Sequence, residues 1–314
     1  MPDEQRTGLV IKAQSGFFTV QTGDGPVVSR VRGSLLQERL DTDPVAVGDR
    51  VTVRVLEDGT GVIEETAERE RVLSRNAASP GGREGEVIDR EQVILANPDQ
   101  AVFVFACADP APNQRTLDRF LVIAEQAEVP ALIVANKIDL VKRSSASAFF
   151  GVYRRLGYPV LYTSALKGTG VKKLRRQLVG KISAMAGPSG TGKSSLLNAM
   201  QPELDLRVGE VSEATTKGRH TTVATKLIPL DGGGYVADTP GIRAVGVYDV
   251  EPDELDAYFV DIARHVPHCQ FNDCTHTNEP GCAVLAAVEK GDLDPGRYDS
   301  FLRLRDEIEE LYIT

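Results

Sequence analysis

The chain has 314 residues, of which 41% are hydrophobic and 26% are charged, and its formal net charge is −9 at pH 7. This composition is typical of a soluble globular protein with room for two or three domains, and the acidic total argues against indiscriminate binding to nucleic acid. No apolar run approaches the roughly 20 residues of a membrane-spanning helix, and residues 1–6 do not resemble a targeting segment. We therefore expect a cytoplasmic monomer without a membrane partner.

The first predicted module, residues 1–70, is all-β. Its short, roughly alternating strand candidates are separated by turns and cover 9–12, 17–20, 27–31, 51–55 and 61–63. Five such strands favour a small barrel of the OB type, a common nucleic-acid-binding scaffold, and a small SH3-like barrel is the alternative. Residues 71–96 contain Ser79-Pro80-Gly81-Gly82 and predict a mobile linker.

Residues 97–245 alternate between strand-like and helical patterns. The strand candidates are 101–106, 131–135, 159–162, 182–186, 224–230 and 234–238, and helical patterns between them include 115–127 and 170–179. This alternation predicts a doubly wound, mainly parallel α/β sheet. The last two candidates are expected to form a hairpin, turned by the glycines at 232–234.

A phosphate-binding loop is predicted between the strand at 182–186 and a helical pattern at 195–200, because residues 187–194 read GxxxxGKS. The glycines let backbone N–H groups turn toward phosphate oxygens, Lys193 is expected to bridge the β- and γ-phosphates, and the Ser194 hydroxyl is expected to ligate Mg²⁺. A chance glycine-rich turn is the alternative, and the strand–loop–helix context argues against it. The predicted nucleotide-binding residues of this loop are Gly187, Pro188, Ser189, Gly190, Thr191, Gly192, Lys193, Ser194 and Ser195.

Guanine is the base predicted by the sequence Asn136-Lys137-Ile138-Asp139, which reads NKxD after an apolar strand. The Asp139 carboxylate can accept hydrogen bonds from the ring N–H and the exocyclic amine of guanine, whereas adenine offers an acceptor at the ring position. A ligand that leaves a buried carboxylate without its hydrogen bonds is rejected relative to the correct ligand by a factor of about 10⁴ or more. Ser164 and Ala165, after the next strand, suit the loop whose backbone contacts the guanine oxygen.

Switch residues are predicted at two further places. Residues 238–241 read DxxG, so Asp238 should hold Mg²⁺ through water and the Gly241 N–H should meet the γ-phosphate. Thr222 is the first choice for completing the magnesium shell and Thr221 the second. Many GTPases place a water-orienting Gln directly after DxxG, but this chain has Ile242 there.

His220 is the best internal candidate for the catalytic group, because an imidazole in the switch can orient the attacking water or accept its proton. The alternative, given equal weight, is that His220 contacts RNA or caps a loop.

The order of these motifs is itself informative. In an ordinary P-loop GTPase the phosphate loop precedes NKxD, whereas here NKxD comes first. Domain termini usually lie close together, so a domain can be cut at one loop and rejoined elsewhere without losing its core. The sequence therefore predicts a circularly permuted GTPase domain.

A structural zinc site is predicted in the third module, residues 246–314. Its spacing C-x4-C-x-H-x5-C supplies three thiolates and one imidazole, from Cys269, Cys274, His276 and Cys282. Such a set closes a tetrahedral site without an open position for catalysis. His268 is a competing imidazole that is worse placed. The remaining cysteine, Cys107, ends an apolar strand and is expected to be a small core residue.

Positive charge is uneven along this acidic chain. Six cations lie on or near one predicted helix, namely Lys167, Lys172, Lys173, Arg175, Arg176 and Lys181. The helix is equally consistent with a solvated basic face and with a functional one.

The arrangement resembles the RsgA family of ribosome small-subunit-dependent GTPases over nearly the whole chain. An OB-like module, the motifs NKxD, TSA, GPSGTGKSS, GRHTT and DTPG in that order, and the cysteine–histidine spacing all recur there. The resemblance implies a late assembly factor of the small ribosomal subunit, with GTP hydrolysis stimulated by that subunit. It also implies Mg²⁺ with GTP, one structural Zn²⁺, and contacts to ribosomal RNA through the OB and zinc modules. The competing hypothesis is an RNA-binding scaffold regulated by GTP, in which hydrolysis is incidental.

Overall fold

The computed structural model describes residues 4–38, 42–78, 89–206, 225–238 and 250–313. Within them the chain builds an N-terminal barrel, a central α/β sheet with helices on both faces, and a C-terminal helical module with a Cys₃His cluster. The predicted fold class is confirmed.

The N-terminal barrel closes because alternation directs one side of each strand inward. Its strands pair in the order β1-β2-β3-β5-β4, and β1 also pairs with β4. Val10, Val20 and Ile63 lie completely inside. The β3–β5 pair is parallel and the other pairs in the ring are antiparallel, which gives the five-stranded OB-type barrel. The elements are β1 (Glu4–Gln14), β2 (Phe17–Thr22), β3 (Gly25–Val31), α1 (Gly33–Glu38), β4 (Arg50–Val55) and β5 (Gly61–Thr66).

Two paired strands occupy the region where the sequence predicts a linker. β6 (Val72–Ala78) and β7 (Asp89–Ala96) run antiparallel in a separate two-stranded sheet. The sequence predicts a mobile linker over 71–96, whereas the structure forms paired strands in these two segments. Leu73 and Leu95 are buried against the main core, so the burial of these side chains favours the strands although turn-forming residues at 79–82 dominate the local sequence.

The central sheet has the strand order β10-β9-β8-β11-β13-β12. All its neighbouring strands are parallel except β12 and β13, which form the predicted hairpin with Lys226 opposite Asp238. Every residue of β8 is buried, as expected for a central strand covered on both faces. The strands are β8 (Gln100–Ala106), β9 (Ala131–Asn136), β10 (Val160–Tyr162), β11 (Ile182–Ala186), β12 (Lys226–Pro229) and β13 (Tyr235–Asp238).

Helices cover both faces of this sheet. Phe120 of α2 and Phe150 of α3 belong to one apolar cluster, whereas Leu174 of α4 and Leu196 of α5 belong to the other. The helices are α2 (Gln114–Gln126), α3 (Arg143–Arg155), α4 (Val171–Leu178) and α5 (Lys193–Met200). The predicted helices at 115–127 and 170–179 are thus confirmed to within one residue at each end.

The C-terminal module is mainly helical and packs on α2. It contains 3₁₀ turns at Leu255–Tyr258 and Val266–His268, and the helices α6 (Val260–Ala263), α7 (Ala283–Lys290) and α8 (Pro295–Ile313). In the described ranges no helix combines the length and the apolar character needed to cross a membrane.

A buried ionic cluster joins α8 to the central domain. The Arg297 guanidinium donates to Asp118 Oδ1 of α2 at 2.6 Å and to both carboxylate oxygens of Asp261 at 2.6 and 3.0 Å. Tyr153 of α3 donates its hydroxyl to the same Asp118 oxygen at 2.7 Å. Because the cluster includes residues of α2, α3, α6 and α8, it links the C-terminal module to two helices of the central domain.

Candidate nucleotide-binding site and metal centre

The predicted phosphate loop lies between β11 and α5, in tight contact with its neighbours. A Cβ on Gly187 would lie 2.1 Å from the Val104 carbonyl oxygen of β8, and a Cβ on Gly192 would lie 2.5 Å from Asn136 Nδ2. Gly190 and Gly192 also have φ angles of +76° and +91°. Glycine is therefore required at 187 and 192 for close approach and at 190 and 192 for backbone conformation.

Hydrogen bonds within the loop help to fix its shape. The Lys193 ammonium, which is almost fully buried, donates to the Gly187 and Pro188 carbonyls at 2.9 and 3.0 Å. Thr191 donates its hydroxyl to the same Pro188 carbonyl at 2.9 Å. Ser194 is buried and Ser195 half-buried in the first turn of α5, while Ser189 and Gly190 are exposed at the tip. A cation and a helix N-terminus thus lie on one loop, which suits a polyphosphate.

Asn136 connects the base-recognition motif to the phosphate loop. Its Nδ2 donates to the Thr191 carbonyl at 2.8 Å, and its Oδ1 accepts from Thr163 Oγ1 at 3.1 Å and from the Ala165 N–H at 3.3 Å. One fully buried amide therefore holds together three segments that are separated in sequence. The structure brings the predicted phosphate and guanine residues into a single site.

Lys137 and Asp139 lie on the solvent side of that site. Lys137 has a left-handed backbone with φ of 58°, and its ammonium donates to the Asp109 carbonyl in the loop after β8. Asp139 is exposed in the 3₁₀ turn Ile138–Leu140, so its carboxylate is accessible to a base. The Ser164 side chain is buried and accepts from the Lys167 N–H at 3.0 Å, which shapes the Ser-Ala loop.

The remaining predicted site residues are outside the described ranges. His220, Thr221, Thr222 and Gly241 are not described, and Asp238 is described only as the last residue of β13. The choice between Thr221 and Thr222, and the role of His220, stay predictions.

Cys107 lies at the edge of the same site. Its N–H donates to the Asn136 carbonyl at 2.7 Å, and burial raises the pKa of its thiol to about 11, with the Arg143 charge acting in the opposite direction. Arg143 begins α3, and its guanidinium lies 3.7 Å from the Tyr162 ring centroid. Sequence reasoning missed Arg143 and Asp109, because neither belongs to a motif.

The four predicted zinc ligands converge in the C-terminal module. Their donor atoms all lie within 4.8 Å of one another, and His276 is the imidazole of the group, whereas His268 is exposed at the end of a 3₁₀ turn. His276 Nδ1 lies 3.6 Å from Cys269 Sγ and 3.5 Å from Cys282 Sγ. Metal–ligand distances of about 2.3 Å to sulfur and 2.0–2.1 Å to nitrogen require nitrogen–sulfur separations of about 3.6 Å in a tetrahedron. The group therefore fits a metal ion.

Asp256 supports this group from outside. Its Oδ2 lies 3.1 Å from His276 Nε2, the ring nitrogen that faces away from the thiols. Burial lowers the pKa of His276, but the hydrogen bond and charge of Asp256 together with the interactions with Cys269 outweigh burial, so the net pKa is raised. An acceptor on the second nitrogen leaves Nδ1 free to bind a metal, as is usual for metal-binding histidines. Tyr298 and Arg305 of α8 donate to the His276 and Thr275 carbonyls at 2.7 and 2.6 Å, so α8 holds the ligand loop in place.

Comparisons with known proteins find relatives that match almost the whole chain. The family model of the RsgA GTPase matches residues 66–248, and that of the RsgA N-terminal domain matches residues 7–63. The chain is 46% identical to the small ribosomal subunit biogenesis GTPase RsgA of Gemmatimonas aurantiaca, covering 96% of this chain and 97% of the relative. It is 42% identical to the protein of the same name from Chlorobaculum parvum, covering 98% and 100%.

Two solved structures are also similar. The crystal structure of YjeQ from Thermotoga maritima has a TM-score of 0.77 and 34% identity, covering 97% of this chain and 99% of that one. The structure of YloQ, described as a circularly permuted GTPase, has a TM-score of 0.73 and 32% identity, covering 98% and 96%.

Proposed function

The chain belongs to the RsgA GTPase family, and on that premise we propose that it hydrolyses GTP to GDP and phosphate during biogenesis of the small ribosomal subunit, with the subunit stimulating the reaction. This role would place it in the cytoplasm. The observation that carries the proposal is the position of Asn136, whose side chain bonds to the phosphate loop and to the Ser-Ala loop at once. A site built in this way recognises the base and the polyphosphate of one nucleotide.

In the proposed site each residue has a separate task. Asp139 pairs with the guanine ring N–H and amine, while Ser164 and Ala165 present the loop to the guanine oxygen. Lys193 leaves the carbonyls of its own loop to bridge the β- and γ-phosphates, and the residues 187–192 and 195 enclose them. Ser194 and Thr222 would ligate the Mg²⁺ that accompanies GTP, with Asp238 acting through water. The ion supplies charge neutralisation for the transferred phosphoryl group.

We also propose that the Cys₃His group holds one structural Zn²⁺. The support is the donor set, the fit of the nitrogen–sulfur distances to a tetrahedron, and the acceptor at Asp256. Zinc bound there would stabilise the loop between the 3₁₀ turn Val266–His268 and α7, and would let the module present a fixed surface to the ribosomal RNA.

A turnover assay with and without purified small subunits tests the main proposal. Slow intrinsic hydrolysis is expected, because Ile242 cannot orient water, and stimulation should approach the roughly 10³–10⁵-fold range reached when a partner completes an active site. An unchanged rate at saturating subunits would favour the GTP-regulated RNA-binding scaffold with incidental hydrolysis.

His220 is proposed as the group that positions the attacking water in the stimulated state. The variant His220→Ala should lose subunit-stimulated hydrolysis while it still binds a GTP analogue and the subunit. If stimulated turnover persists in this variant, His220 has no catalytic task and the water is oriented by other groups.

A further inference from the structure

Helix α4 has one apolar face and one strongly basic face. Val171, Leu174 and Leu178 are buried in the cluster beneath the helix. The four cations Lys172, Lys173, Arg175 and Arg176 are all exposed. Arg176 lies four residues after Lys172 and three after Lys173, and Arg175 lies three after Lys172, so the four cations project on the same side of the helix. We refer to these four residues as the α4 basic face.

Among the residues that the structure describes, the α4 basic face has no acidic counterpart. The helix reads VKKLRRQL and contains neither Asp nor Glu. In the described part of the chain, none of the four cations forms an ion pair, and Arg175 donates only to the backbone carbonyl of Asp231, at 3.1 Å. A surface helix that serves only solubility usually interleaves both signs. The chain as a whole has a net charge of −9, so the positive charge of α4 is a local feature and not a property of the whole protein.

Two of these charges oppose the stability of their own helix. The N-cap is Gly170, which supplies no side-chain hydrogen bond, and Lys172 and Lys173 follow in the first turn. The positive end of the helix dipole lies there, so cations are disfavoured and anions favoured. The lysines also repel Arg175 and Arg176 at spacings of three and four residues. Charges that work against local stability are expected where another molecule supplies the compensating charge.

We propose that the α4 basic face binds the phosphodiester backbone of ribosomal RNA on the small subunit. This inference rests on the proposed function, because that function brings the chain to a large RNA. Each bound phosphate would neutralise a cation that nothing in the described structure neutralises, and would relieve the repulsion at the start of the helix. A lipid surface fits less well, because the apolar face of α4 is already packed in the core and is not available for insertion.

The location of α4 makes this surface separate from those of the flanking modules. The C-terminal module packs on α2, on the other face of the central sheet. The barrel joins the sheet at its β12 edge, where Lys12 pairs with Lys226. RNA bound to α4 would therefore contact the GTPase domain itself, close to the Ser-Ala loop that precedes the helix.

The test uses the full chain with the double substitution Lys172→Gln and Lys173→Gln. Glutamine keeps the length and the helix propensity while removing the charge. The affinity for purified small subunits is measured from low to high salt, and two lost phosphate contacts should make the slope of log K against log salt shallower by about 1.4–1.8. Subunit-free GTP turnover should not change, and the thermal midpoint should stay the same or rise, because the lysines oppose the helix dipole.

The matched control is Arg154→Gln with Arg155→Gln. These exposed residues end α3 on the opposite face of the sheet, so the control removes the same charge elsewhere. If the α4 variant keeps the affinity and salt slope of this control, the α4 basic face does not bind the subunit and the proposal is overturned, although the proposed function stands.

A starting protein that neither binds small subunits nor is stimulated by them would instead refute the proposed function. The same salt titration with a duplex RNA of arbitrary sequence then decides the inference about α4. A shallower slope for the lysine variant than for the arginine control supports an RNA-binding surface, and equal slopes contradict it. Lysine-dependent binding to vesicles of anionic lipid, with RNA binding unchanged, would overturn the proposal in favour of a membrane contact.

Discussion

Replacing Arg297 by alanine should loosen the C-terminal module from the central domain. Arg297 is 1% exposed and makes three charge-assisted hydrogen bonds, one to Asp118 and two to Asp261. Each of these bonds contributes about 1.5–3 kcal/mol, so together they set an upper range of about 5–9 kcal/mol for the loss of stability. Water entry and proton uptake by the abandoned carboxylates reduce it, and about 3–5 kcal/mol is typical when one partner of a buried ion pair is removed.

The pH dependence of this loss has a definite sign. Burial already raises the pKa of Asp118 above its ordinary 3.8, against the opposing charge of Arg297. Without Arg297 the folded-state pKa rises further, so the folded variant binds a proton that the unfolded chain releases. Stability of the variant therefore falls as pH rises from the ordinary carboxyl value through the raised one. The deficit relative to the unsubstituted protein should be smaller at pH 5 than at pH 8.

Hydrogen exchange of the α2 and α8 amides is the suitable assay, because a multidomain chain need not unfold in one transition. The matched control is Arg303→Ala on the same helix, which removes an exposed pair with Asp299 worth about 0–1 kcal/mol. The combined variant R297M/D118N/D261N should recover part of the protection, because its buried groups are no longer charged. The reasoning is refuted if Arg297→Ala costs no more than Arg303→Ala, or if the combined variant shows no recovery.

Three further predictions concern the nucleotide site and the metal centre. Asp139→Asn removes a charged acceptor of two hydrogen bonds, so titration should show that the affinity for GTP falls by a factor of about 10²–10⁴. Similar binding of GTP and ATP by the unsubstituted protein would contradict the assignment of Asp139 to guanine. Metal analysis should find one zinc per chain. The variant Cys274→Ser should lose the zinc and show faster hydrogen exchange across residues 250–313, while it still binds GTP. A C-terminal module that is folded without metal would contradict this prediction. Because the pKa of Cys107 is raised to about 11 from 9.0, its alkylation at pH 8 should be about a hundredfold slower than that of a cysteine peptide. The rate should increase about tenfold per pH unit up to pH 11, and a peptide-like rate at pH 8 would show that the thiol is not shielded.

The sequence alone was sufficient for the GTPase motifs and the order in which they occur. Phosphate binding requires glycines, a lysine and a serine within eight consecutive residues, so all the groups that bind phosphate lie in one short segment. The strand–helix alternation of the central domain and the spacing of the four metal ligands are local in the same sense. These features predicted the permuted GTPase domain, and the family membership confirms that prediction.

Tertiary structure alone decided how those segments are held together. Arg297 and Asp118 are 179 residues apart, and Asn136 and Thr191 are 55 apart, so no local pattern indicates either contact. The strands β6 and β7 were missed for a related reason, because turn residues dominate 79–82 while the burial of Leu73 and Leu95 comes from distant side chains. Local propensity is a weak preference that long-range packing overrides, and the partner of a buried polar group is chosen by the fold rather than by the residues beside it.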